Sequence, residues 1–139
     1  MLSIYHKSNC STSLSVLKII RDAGIEVKII DYLDKPLDLI ALQQLQEKLK
    51  VPAEKMLRKK EKIFQEKYAH KKLSELVILK LIAKHPILLE RPILVKGKKA
   101  IIARPIEITA SFIAWVLVKK NNILRQQTYN PKQNYTFAL

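Results

Sequence analysis

The chain has one cysteine in 139 residues, Cys10, so no internal disulfide can form. A lone thiol suits a reducing compartment, and the expected location is the cytoplasm. Only two glycines occur, Gly24 and Gly97, which excludes a glycine-rich phosphate loop. The three histidines, His6, His70 and His85, lack ligand spacing with Cys10, so no metal site is expected. No motif supports Ser-His-Asp catalysis. The longest apolar-rich run, 106–118, is shorter than the ~20 residues a bilayer span needs, and no membrane partner is expected. The chain opens directly on a strand pattern, with nothing that reads as a secretory signal.

Acidic residues are also scarce: 12 against 26 Lys and Arg, giving a formal charge of +14. Such a surface draws anions in general. Aromatics make up 6% of the chain. There is no zinc-finger spacing, no aromatic-interleaved RNA motif and no helix-turn-helix, so nucleic acid is not the expected partner. Most of the excess charge is lysine, which ordinarily means a solvated face.

What is present is a core-forming chain, 48% hydrophobic, of a length that suits one domain. Residues 2–6 read as a strand. Ser11, Thr12 and Ser13 are candidate caps for a helix whose Val16, Leu17, Ile20 and Ala23 share a face. Gly24 suits its C-terminal end. A second strand spans 27–31, with Val27, Ile29 and Ile30 on its apolar side. This short βαβ crossover implies a parallel, right-handed pair.

Pro36 then breaks the pattern, and Asp38 can cap a helix carrying Leu39, Leu42, Leu45 and Leu49. Pro52 starts a further short turn. From Lys48 to Lys72 ten basic residues face three glutamates, as in an exposed helical region. A helix over 73–84 stops at Pro86. Two strands, 92–95 and 100–103, flank Lys96-Gly97-Lys98-Lys99 as a hairpin, and a last helix begins near Pro105. The fold class expected is α/β, a thioredoxin-like mixed sheet in the order β-α-β, helical insertion, β-β-α. One domain is expected over 1–120, with the insertion at about 36–85 and a loosely ordered tail at 121–139.

Cys10 lies in the turn between the first strand and the first helix. Unpaired N–H groups and the positive dipole end favour a thiolate there and also favour a bound anion. Arginine is rare beside lysine: Arg21, Arg58, Arg91, Arg104 and Arg125. Two of the five precede proline, Arg91-Pro92 and Arg104-Pro105. A guanidinium holds an oxyanion through two parallel bonds, where an ammonium acts as a point charge. In a thioredoxin-like sheet the strand after the crossover starts beside the cysteine turn, often at a cis proline. Pro92 is the candidate, with Arg91 directed at Cys10. A surface role is the ordinary alternative for any one of these arginines, and inert burial for Cys10. His6 sits where it can bond within the turn or tune the thiol.

Tyr5-His6, Cys10-Ser11-Thr12-Ser13, Ile30-Asp31-Tyr32-Leu33, Leu57-Arg58-Lys59, His85-Pro86-Ile87-Leu88, Arg91-Pro92-Ile93 and Arg104-Pro105 with Glu107 appear in that order. Together they resemble the glutathione- and glutaredoxin-dependent arsenate reductases over roughly residues 2–107. The resemblance implies an oxidoreductase of arsenic detoxification. Cys10 would attack arsenate held by Arg58, Arg91 and Arg104, with Ser11, Thr12 and Ser13 in the binding turn and His6 beside the thiol. It implies no bound cofactor, glutathione as co-substrate and glutaredoxin as the partner that completes reduction to arsenite. The family's turn usually reads Asn-Pro-x-Cys-Gly-Thr-Ser-Arg, and Ser8, Ser11 and Leu14 depart from it. Serine in place of glycine would strain a position of positive φ, and Leu14 brings no charge to the thiol.

Two other readings stay open. Spx-type regulators share the fold and bind RNA polymerase, but they carry Cys-x-x-Cys, and here the second position is Ser13. Generic anion or nucleic-acid binding through 48–72 would be salt-sensitive and independent of Cys10.

Overall fold

A computed structural model describes residues 1–128. The elements are β1 (Leu2–His6), α1 (Ser11–Asp22), β2 (Val27–Asp31), α2 (Leu39–Leu49), α3 (Ala53–Met56), α4 (Lys62–Lys67) and α5 (Glu75–Lys84). A 3-10 turn (Pro86–Leu88), β3 (Ile93–Lys96), β4 (Lys99–Ile102) and α6 (Ile108–Thr128) complete the chain. The sheet order is β2-β1-β3-β4. β1 runs parallel to β2 and antiparallel to β3, and β3 and β4 form the hairpin. This is the mixed thioredoxin-like sheet that the element order implied.

The strand period of two sends side chains to two separate cores. Leu2 and Ile4 of β1 and Leu94 of β3 pack with Val16, Leu17 and Ile20 of α1 and Phe112, Ile113 and Val116 of α6. Ile93, one residue from Leu94, joins Tyr32, Leu42, Met56, Ile82 and Leu88 on the other face. The helices between β2 and β3 therefore cover one face of the sheet, and α1 with α6 covers the other.

Several local expectations shift. Cys10 itself is the N-cap of α1, at φ −95° and ψ 116°, so Ser11, Thr12 and Ser13 lie inside the first turn. A tight turn causes this: the Cys10 N–H donates to the Lys7 carbonyl at 3.0 Å, and the Cys10 carbonyl accepts from Leu14 at 3.0 Å. Asp38 caps α2 as expected, accepting from the Ala41 N–H. Ile29 is 42% exposed, because β2 is an edge strand. The final helix begins at Ile108, three residues after Pro105, behind a turn in which the Ile108 N–H donates to the Pro105 carbonyl. That helix runs on to Thr128, past the expected start of a tail at Asn121, and residues 129–139 of that tail lie outside the described residues. Its Phe112, Ile113 and Val116 stripe anchors it against α1. Among the described residues no helix is long and apolar enough to cross a membrane.

Candidate active site

The arginines, 33 and 13 residues apart in sequence, meet at the C-terminal end of β1. Arg91 immediately precedes β3, joined to Pro92 by a cis peptide bond, and Arg104 follows β4. β3 and β4 pair antiparallel, with Ile93 opposite Ile102, so the residues just outside that pair are neighbours. The Arg104 Nε donates to the Arg91 carbonyl at 2.5 Å. Its Nη2 lies 3.5 Å from the Cys10 Sγ. Arg58 is brought in by an isolated antiparallel bridge, Leu57 with Leu89. There the Arg58 N–H donates to the Leu88 carbonyl at 2.7 Å, and the Glu90 N–H donates to the Met56 carbonyl at 2.8 Å.

Two carboxylates lace the arginines together. Glu61 Oε1 accepts from Arg58 Nε at 3.1 Å and from Arg91 Nη1 at 3.5 Å. Glu90 pairs with Arg58 at 4.0 Å and with Arg104 at 3.8 Å. Burial pushes the Glu90 carboxyl above its usual range, against the pull of Arg58, Arg104 and Arg91. Neither glutamate was singled out in the sequence. A signal was available, since Glu61 follows Arg58 by three residues and Glu90 adjoins Arg91. Arginines that must be held still need acceptors nearby.

Cys10 is half-buried and free. Burial pushes its thiol up, but the Ser13 N–H and hydroxyl, Arg91 and the charge of Arg104 prevail, lowering it from 9.0 to about 7. The first turn of α1 thus supplies the N–H group, and residues far away in sequence supply the guanidinium groups. Burial also pushes the Tyr32 hydroxyl up, opposed by Arg91 and Arg58. Ser13, Tyr32 and Arg91 are all buried, and the Ser13 Oγ, the Tyr32 hydroxyl and the Arg91 Nε each lack a partner of good hydrogen-bond geometry. Buried polar atoms normally find partners. His6 Nδ1 and Thr109 Oγ1 are two more that lack one, but of these residues only Ser13, Tyr32 and Arg91 interact electrostatically with the thiol.

Ser11 and Thr12 are not among the groups that shift the thiol. They line, with Arg104 and Glu107, an open hollow of about 420 Å³ beside the Cys10 turn. Ser11 carries no strain of the left-handed region, since Lys50 is the only non-glycine residue with positive φ among the described residues. Leu14 is 49% exposed and lies on the first turn of α1. His6 is buried opposite Asp31 in the β1–β2 register. Its imidazole is held below its ordinary value by burial, with Asp31 opposing and Arg21 assisting. His6 is not among the groups that shift the thiol. Among the described residues no group of three or more His, Cys, Asp or Glu side chains is gathered as a metal would need.

The ArsC family profile matches residues 5–112, a span that includes Cys10 and all three arginines. The chain belongs to the ArsC family. Its sequence is 35% identical over 108 residues to an arsenate reductase of Neisseria meningitidis, covering 76% of this chain and 92% of that protein. It is 31% identical over 113 residues to an arsenate reductase of Escherichia coli, covering 81% and 80%. It is also 35% identical to the uncharacterized protein YfgD of Escherichia coli, over 76% and 91%. Among solved structures, a putative arsenate reductase from Yersinia pestis superposes with a TM-score of 0.74 at 31% identity, covering 80% of this chain and 99% of that one. The family match ends just inside α6, so most of that helix lies beyond it.

Proposed function

We propose that this ArsC-family chain is a thiol-based arsenate reductase working with glutathione and glutaredoxin. The observation that carries the reading is the 3.5 Å approach of Arg104 to a thiol that Arg91 and Arg104 help lower to about 7, with Arg58 tied to both arginines through Glu61 and Glu90. The names of the relatives point to the same substrate.

In the proposed reaction the Cys10 thiolate attacks the pentavalent arsenic, a sulfur–arsenic bond forms, and one arsenate oxygen leaves as water after taking up protons. Arg58, Arg91 and Arg104 hold the remaining oxygens and offset the charge that develops on them. Arginine suits this role because its planar fork meets two oxygens at once. The Ser13 hydroxyl and the Arg91 Nε supply further donors. A glutathione thiol then enters over the hollow beside Ser11, Thr12 and Arg104. Two thiols give up two electrons and become a Cys10–glutathione disulfide, while arsenic becomes trivalent and departs as arsenite. A glutaredoxin thiol then attacks the glutathione sulfur of that disulfide, takes the glutathionyl group as its own mixed disulfide and releases Cys10 as the thiolate. A single-cysteine protein needs this outside thiol, because it has no second one of its own to close a disulfide.

The test is turnover. Arsenate, glutathione and glutaredoxin with the wild-type chain should release arsenite, and omission of either thiol partner should stop it. A well-folded preparation that reacts with none of these would remove the reading. The regulator reading finds no specific support, because Ser13 stands where a switching dithiol needs its second sulfur.

A further inference from the structure

A second charged hollow, of about 550 Å³, lies between the end of α2, the β3–β4 hairpin and α6. Lys48, Lys50, Lys96, Lys98 and Lys99 line it, with Trp115 and otherwise aliphatic side chains, and no acidic residue lines it. It is not the Cys10 site. Lys96 pairs with Leu2 at the beginning of β1, whereas Cys10 follows the other end of that strand. At a strand rise of about 3.3 Å per residue, the two sites are on the order of 15 Å apart along the sheet.

Most lysines of this chain carry no ion pair among the described residues, and what sets these five apart is that they share one hollow. Lys18, Lys59 and Lys62 each find an acid, Asp22, Glu54 and Glu66. None of the five in the hollow pairs with an acid among the described residues. The C-terminal dipole of α2 offsets part of the charge of Lys48 and Lys50 only. Lys50 also occupies a left-handed C-cap, φ 54° and ψ 43°, where glycine or asparagine fits more easily. The backbone there does not demand lysine. Five lysines bordering one concavity, with no acid in its lining, leave like charges whose mutual repulsion a bound anion would offset.

We propose that this hollow binds a small oligophosphate, a ligand with several linked phosphate groups. Ammonium groups suit phosphate as point charges from several directions, and the volume falls in the ~300–1,000 Å³ range of small-ligand sites. A nucleic-acid strand fits less well. Strand binders stack successive bases on several aromatic rings, whereas Trp115 is the only aromatic in the lining and Lys99 Nζ already sits 4.7 Å over its ring.

Trp115 is the only tryptophan, so its emission reports on the site. Inorganic tripolyphosphate is titrated into the full chain at about 0.15 M salt, by fluorescence and by calorimetry. A saturable signal is expected, weakened tenfold or more in the double variant Lys48→Glu, Lys99→Glu and unchanged in Cys10→Ser. The double variant should keep its circular dichroism and the alkylation rate of Cys10. No saturable binding in either measurement, or equal binding by the folded double variant, overturns the proposal. So does a single-stranded oligonucleotide that binds where tripolyphosphate does not.

Discussion

Arg104 reaches Cys10 and Arg91 with one guanidinium: Nη2 lies 3.5 Å from the sulfur, and Nε donates at 2.5 Å to the Arg91 carbonyl. The second bond fixes the plane of the group, so the first is aimed. A residue before β3 and a residue after β4 thereby orient the charge that the thiol feels. The consequences can be measured.

Arg104→Lys keeps the charge but cannot make both contacts, because an ammonium lacks the fork. The Cys10 thiol should titrate at higher pH than in the wild type. Arsenate kcat/KM should fall about 10–100-fold, the loss of one charge-assisted bidentate contact. Steady-state kinetics at fixed glutathione check this. A lysine variant as active as wild type would mean that point charge alone suffices.

Thiolate formation near pH 7 predicts the reactivity profile. Alkylation of Cys10 by iodoacetamide should be half-maximal at about pH 7, rising above it and fading below it. The folded thiol loses its proton below its ordinary 9.0, so thiolate-linked stability is complete above pH 9.0 and disappears as pH falls through about 7. Ser13→Ala removes the hydroxyl and leaves the N–H. Its midpoint should move up yet remain below 9.0, because Arg91 and Arg104 still act. A midpoint equal to that of the wild type would assign the whole helical contribution to the backbone.

Cys10→Ser should lower arsenate turnover by about 10³-fold or more, since the nucleophile is lost. The change is nearly isosteric at a half-buried site, so below the thiol's midpoint of about 7, where both side chains are neutral, stability should move by less than about 0.5 kcal/mol. Urea unfolding separates the two effects. A variant that is inactive because it is unfolded would fail this prediction.

Glu61→Gln deletes the charge that Arg58 and Arg91 share. The Arg91 side chain is 7% exposed, so water cannot replace the carboxylate easily. Stability should drop by about 1–3 kcal/mol, and arsenate KM should rise as both guanidinium groups lose alignment. Thermal unfolding and kinetics on the same preparation test this. An unchanged midpoint would show that the Ile87 carbonyl, which accepts from Arg91 at 3.3 Å, is support enough.

Much of this protein is written locally. The alternation of Leu2, Ile4 and His6, the helical stripe of Val16, Leu17 and Ile20, and the cap at Asp38 each act over a few residues, so their elements could be read directly. The lone cysteine at a strand-to-helix turn and the scarcity of arginine among lysines marked the site for the same reason. Chain order could not show which carboxylates the arginines would meet. Glu61 and Glu90 joined the site through the Leu57–Leu89 bridge, a pairing across 32 residues that no local pattern announces. Nor could it show that burial would hold the His6 imidazole below its ordinary value, or that a stripe of Phe112, Ile113 and Val116 would anchor α6. Propensity and period are properties of neighbours in sequence. Desolvation, charge proximity and packing depend on neighbours in space, and those exist only once the sheet has closed.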